Sequence, residues 1–142
     1  MFEFVKDKAE KQDSILAEIK RLEKKYSIHF PQALKDFYHQ YDNKGIKLCS
    51  LDIDGYQCEV AKIVPILAPA SNFESIKDEE LADGFIPKEY YPIARDRGGD
   101  YYYWDSKSGN VFLVLVDDFE NPFKVASSVE EFFEMLSSSP MK

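Results

Sequence analysis

From about Asp13, the apolar residues Leu16, Ile19, Leu22 and Tyr26 recur at intervals of 3, 3 and 4, with Glu18, Lys20, Arg21, Glu23, Lys24 and Lys25 between them. That period puts one apolar stripe along a helix. Phe2, Phe4 and Val5 either extend this helix or pack as an arm. Pro31 suits the first turn of a second helix, where its missing N–H costs nothing, and Leu34, Phe37, Tyr38 and Tyr41 repeat along one side of it. Asn43-Lys44-Gly45 closes that helix, with Gly45 as a left-handed cap.

The period then shortens to 2. Ile46 to Cys49, Leu51 to Ile53 and Tyr56 to Val60 alternate around Asp54-Gly55, a dipeptide suited to the positive φ angles of a tight hairpin turn. Ile63 to Ile66 adds a strand that Pro65 confines to an edge or an end. Ser71-Asn72-Phe73-Glu74 matches a capping box, so a short helix runs from about Asn72 into Lys77-Asp78-Glu79-Glu80. The rest of Leu67 to Tyr90 reads as a long, mobile surface connection. Gly98 and Gly99 permit a tight turn or bulge, after which Tyr101 to Trp104 and the apolar run Val111 to Val116 flank the turn cluster Asp105 to Asn110. That hairpin belongs in the middle of the sheet, because Val111 to Val116 offers apolar side chains to both faces. Asp117 to Pro122 reads as an acidic loop and Phe123 to Ala126 as a short strand. Ser127 or Ser128 caps a closing helix over Val129, Phe132, Phe133 and Leu136, and 137–142 is a frayed tail. The expected fold is α+β: one domain over 1–142, with an antiparallel sheet of about five to six strands packed by N-terminal helices and a C-terminal helix.

Composition narrows the setting. With 44% hydrophobic residues in 142, the chain can bury a core without metal or disulfide staples. Cys49 and Cys58 stand diagonally across the first hairpin, which disfavours a disulfide and points to free thiols. No apolar run approaches the roughly 20 residues of a membrane helix, and residues 1–7 lack a signal-peptide pattern, so a cytoplasmic location is expected. Of the net charge of −8, residues 1–29 hold 7 Lys+Arg against 6 Asp+Glu, leaving 11 against 20 in the sheet-bearing remainder. Such a field repels nucleic acid and anionic lipid and attracts a basic partner.

Chemical motifs are absent or incomplete. Asp52 to Gly55, aligned as a calcium loop, has Ser50 at its first position and Ala61 at its twelfth, so the leading acid and the bidentate Glu are both missing. His29 and His39 have no metal-ligand spacing, and Arg97-Gly98-Gly99-Asp100 precedes a strand where a phosphate loop would open a helix. A small hydrolase using Asp96 and Asp100 as paired carboxylates is one reading, disfavoured because nothing nearby in the sequence tunes their pKa or binds a substrate. Neither metal nor cofactor is expected. Period 2 splits Tyr101 and Tyr103 from Tyr102 and Trp104, one pair suited to the core and the other to an exposed anchor.

The order of these elements resembles the SUKH superfamily, in the branch related to the yeast cell-wall-assembly regulator. The resemblance runs over roughly residues 13–136 and is carried by Asn43-Lys44-Gly45, Pro92-Ile93-Ala94 leading to Asp96-Arg97-Gly98-Gly99-Asp100-Tyr101, Gly109-Asn110-Val111, and Val125-Ala126-Ser127-Ser128-Val129-Glu130-Glu131-Phe132-Phe133. The family commonly has Asn-Gly-Gly where this chain has Asn43-Lys44-Gly45, which bears on loop shape. The resemblance implies a non-enzymatic immunity protein, a monomer or weak homodimer, that occludes a basic toxin domain, often a nuclease. The alternative it implies is a general intracellular regulator or scaffold. Candidate contacts chosen for acidity and loop position are Glu74, Asp78, Glu79, Glu80, Asp83, Asp117, Asp118 and Glu120. Arg95, Asp96, Arg97 and Asp100 from the glycine turn, and Tyr102 and Trp104 as aromatic anchors, complete the set.

Overall fold

Helix α1 spans Phe2–Tyr26, so Phe2, Phe4 and Val5 extend the amphipathic helix. The computed structural model describes residues 2–42 and 46–138, with side chains over 14–42 and 46–136; the expected cap at Asn43-Lys44-Gly45 and residues 139–142 of the expected tail lie outside this range. Along α1 the buried stripe is Ile15, Ile19 and Leu22, and Leu16 is exposed. The predicted stripe is therefore turned by one residue at its start, because Ile15 lies four residues before Ile19 and keeps the helical interval. Helix α2, Gln32–Tyr41, follows Pro31 and buries Leu34 and Tyr38. Beyond its end, the Asp42 carboxylate accepts from the N–H groups of Ile66 (2.7 Å) and Leu67 (3.0 Å), tying the helix to a segment 24 residues on.

Strands β1 (Cys49–Ile53) and β2 (Tyr56–Val60) form a separate two-stranded sheet around Asp54 and Gly55, whose φ angles are 52° and 86°. Cys49 pairs with Val60 and Leu51 with Cys58, the expected register, and both cysteines are buried free thiols. The main sheet has five antiparallel strands in the order β3 (Lys62–Ile63), β4 (Tyr90–Arg95), β5 (Tyr101–Asp105), β6 (Val111–Leu115) and β7 (Asp118–Ala126). The tyrosine-rich strand is thus central. β7 takes in most of the stretch expected to be a loop, leaving Val116 and Asp117 as the hairpin turn.

Helix α3, Phe73–Asp83, is the short helix expected from about Asn72 and runs on past Glu80 to Asp83. Its cap is Asn72, whose side chain accepts from Ser75 N–H at 2.8 Å while Ser75 Oγ accepts from Asn72 N–H at 3.0 Å, so the capping box sits one residue later than the motif suggested. β3 pairs only with Ala94 and Arg95, and α3 covers the rest of that side of β4, as natural edges are commonly shielded. Helix α4, Val129–Ser138, is capped by Ser128, which accepts from Glu131 N–H at 3.0 Å. The main core joins Ile19, Leu22, Leu34, Tyr102, Trp104, Val111, Leu113, Val129 and Phe132, with Phe30 packed between Phe73 and Trp104 at ring separations of 5.3 and 5.7 Å. Burying each such ring contributes about 1.5–3 kcal/mol.

Candidate interaction surface

The alternation of β5 decides what the sheet can show to a partner. Tyr102 and Trp104 enter the main core and are 0% and 2% exposed, so neither is available as an anchor. Tyr103 on the opposite face is also buried, in a second cluster with Ile86, Tyr90 and Val114, against which Tyr101 and Phe112 pack. Both faces of the aromatic run are therefore interior. The expectation of one exposed pair fails because residues 84–89, the connection after α3, fold back and lay Ile86 over the second face.

The acidic candidates divide into engaged and open groups. Glu74 accepts from Arg21 (2.6 Å) and Lys25 (2.7 Å), and Asp78 accepts from Lys25 (2.7 Å) and the Tyr26 hydroxyl (2.6 Å), joining α3 to α1. The hydrogen bonds from Arg21 and then Lys25 pull the Glu74 carboxyl down to about 2. These two carboxylates act within the fold and are removed from the partner set. Glu80 is turned inward, accepting from the Tyr103 hydroxyl with one oxygen, while its other oxygen is buried without a partner. Burial pushes its carboxyl up to about 7, against the opposing pull of the Tyr103 hydrogen bond.

The glycine turn is also internally occupied. Asp96 Oδ1 accepts from Asp100 N–H at 2.9 Å, Asp96 N–H donates to Asp100 O at 3.0 Å, and Asp100 Oδ1 accepts from Val116 N–H at 2.8 Å. Gly99 at φ 96° closes the loop. The two carboxylates hold backbone and brace the β6–β7 hairpin, a geometry that explains their spacing without a reacting pair. Arg97 grips Glu59 through Nε (2.9 Å) and Nη2 (2.7 Å). Arg95 stands apart, on a row facing Lys62 and Tyr101.

Glu79, Asp83, Asp117, Asp118 and Glu120 remain exposed. The segment just after α3 meets β7 through Phe85 and Phe119, whose rings stack at 5.6 Å and 11°. Phe85 is 68% exposed and Val116 56%, with Leu81 and Phe119 also open. These exposed apolar side chains lie in the same stretches of chain as the exposed Asp83, Asp117, Asp118 and Glu120. None of these four apolar residues was singled out from sequence. A readable signal was present in Phe85 immediately after Gly84, the left-handed cap of α3 (φ 78°), within a strongly polar segment. Val116 was assigned to the buried strand, which ends one residue earlier.

A concavity of about 720 Å³ lies between α2 and α4 and is lined in part by Phe37 and Phe133, stacked at 4.1 Å. Among the described residues no group of three or more His, Cys, Asp and Glu side chains is placed to hold a metal, and no helix is long and apolar enough to cross a membrane. A model of the SMI1 / KNR4 family (SUKH-1) matches residues 16–135, nearly the span over which the resemblance was read. Neither a curated protein nor a solved structure gives a match.

Proposed function

This chain belongs to the SMI1 / KNR4 family (SUKH-1), and from that membership we propose that it is a non-enzymatic binding protein of immunity type, acting in the cytoplasm by covering the cationic active site of a toxin domain. The observation that carries the reading is the stacked, solvent-facing Phe85–Phe119 pair, carried on stretches of chain that also hold the exposed Asp83, Asp117, Asp118 and Glu120. A soluble protein rarely leaves two large rings in contact with water, and such a cluster with acidic neighbours in the chain is the composition of an interface centre. A basic nuclease-like surface is its chemical complement. The carboxylates would raise the encounter rate, and the rings, desolvated on docking, would set the residence time.

Co-expression with a toxin domain encoded next to this gene tests this directly, and a gene without such a neighbour favours the general regulator or scaffold. Wild type should restore survival. The double substitution Asp117→Lys with Asp118→Lys should slow association and flatten its dependence on ionic strength, and Phe85→Ala should speed dissociation, all with unchanged circular dichroism. An association rate indifferent to salt, or full protection by the triple variant, would remove this patch from the mechanism. Loss of protection on Glu130→Lys instead would move the contact to the groove between α2 and α4, which that residue lines.

A further inference from the structure

Lys62, Arg95 and Tyr101 are successive partners across β3, β4 and β5, so their side chains stand in one row on a single face of the sheet. The row forms one wall of a cavity of about 250 Å³. Ser71 and Ile76, at the entry to α3, form the other wall, and Val64 lies between them. In a chain of net charge −8, no acidic side chain lines this cavity.

Two cations directly opposite each other in an antiparallel ladder repel and destabilise the pairing. The other two arginines are both drawn into ion pairs, Arg21 with Glu18 and Glu74 and Arg97 with Glu59. Among the described residues, Lys62 and Arg95 have no such partner. Burial raises the neighbouring Tyr101 phenol, Arg95 draws it down, and Glu80 and Glu79 add to the rise; Arg95 and Tyr101 both line the cavity. Ser71, with φ at 51°, holds a backbone conformation uncommon for a residue with a side chain, and its hydroxyl-bearing residue forms the far wall. The positive end of the α3 dipole lies on the same side.

We propose that this cavity binds a dianionic oxyanion of phosphate size, with a phosphate monoester as the best-fitting chemistry. The guanidinium offers a planar fork to two oxygens, the lysine a mobile point charge, and Tyr101 and Ser71 hydroxyl donors. Val64 and Ile76 leave an apolar side for the carbon body of an ester. Filling the site turns the Lys62–Arg95 repulsion into a shared attraction. The proposal stands apart from the partner-binding reading and shares no residue with the Phe85–Phe119 patch.

The test is a titration of the full chain at constant ionic strength with inorganic phosphate and, separately, with glycerol phosphate, followed by amide chemical shifts and by thermal unfolding. Saturable shifts at Lys62, Ser71, Arg95 and Tyr101, together with a rise in Tm, are expected. Lys62→Gln and Arg95→Gln should each weaken binding at least about tenfold, the loss of one charge-assisted contact. Lys62 is exposed on a two-residue edge strand, so Lys62→Gln should stay folded, with a Tm in the absence of phosphate no lower than that of wild type. Tighter binding of the ester identifies an organic phosphate as the occupant, and equal binding identifies free phosphate. Shifts that do not saturate, or that survive both substitutions, overturn the site.

Discussion

The two faces of the five-stranded sheet are covered very differently. All four helices and the β1–β2 hairpin contribute to the core on the face that carries Tyr102 and Trp104. The face that carries Tyr101 and Tyr103 has only the end of α3 and residues 84–89 over a four-residue cluster. The first face is apolar and deep, and its polar groups are few. The second holds most of the unusual chemistry: a buried amine, an inward carboxyl, a cationic row and an open aromatic pair. Lys77 is 1% exposed and lies at the boundary between the faces, its amine donating to the carbonyls of Lys88 (2.8 Å) and Tyr90 (2.5 Å) and lying 4.2 Å from the centroid of the Tyr91 ring. Thick cover supplies stability, and thin cover leaves room for sites that can be reached.

The contrast is broken most directly by truncating one side chain on each side. Trp104→Ala should cost about 3–5 kcal/mol in denaturant unfolding, the usual range for removing a large ring from a packed core. Tyr103→Phe, which only unpairs the Glu80 carboxyl, should cost about 1–2 kcal/mol. Equal losses would mean that the second face is as tightly built as the first.

A pH series sharpens the same contrast. The Glu80 carboxyl is raised from 4.5 to about 7 by burial, so the folded state holds its proton more tightly. Its contribution is complete below about pH 4.5 and is lost as pH rises through 7, lowering stability on the order of 1–3 kcal/mol across that window. Glu80→Gln should abolish the slope. The buried Lys77 amine is held down to about 8, so its contribution is absent below that pH and returns as pH rises toward 10.5. A wild-type stability flat between pH 4.5 and 7 would show that Glu80 is solvated and the second face open.

Lys77→Met keeps the packing and removes the donor. Leaving the carbonyls of Lys88 and Tyr90 unpaired should cost about 1–3 kcal/mol and speed amide exchange around 86–91 more than in α4. The smallest effect belongs to the exposed acids: Asp117→Lys with Asp118→Lys should change stability by no more than about 0.5 kcal/mol. A larger loss would make these carboxylates part of the fold, as Glu74 and Asp78 proved to be.

Local signals in the sequence carried far, and long-range ones did not. Asp54-Gly55, the Cys49 and Cys58 register, the central hairpin and the Ser128 cap each depend on residues within a few positions of one another, and each is found where the pattern placed it. The family and the α+β order were equally legible. The division of acids into bound and open was not, because Arg21 meets Glu74 across 53 residues and Tyr103 meets Glu80 across 23. Alternation correctly separated Tyr102 from Tyr103 but could not reveal that a connecting loop would cover the second of them. The row Lys62–Arg95–Tyr101 depends on the register of three strands, two of them separated by α3.

Phe85 and Ile86 are neighbours in the chain that face opposite ways, one ring resting on Phe119 in the open and one branched side chain pressed down on Tyr90 and Tyr103. Whatever clasps the outer residue also pins the inner one, like a hand on the latch of a shutter. Deuterium uptake beneath residues 84–89 should therefore fall when the outer surface is occupied, reporting capture from inside the molecule.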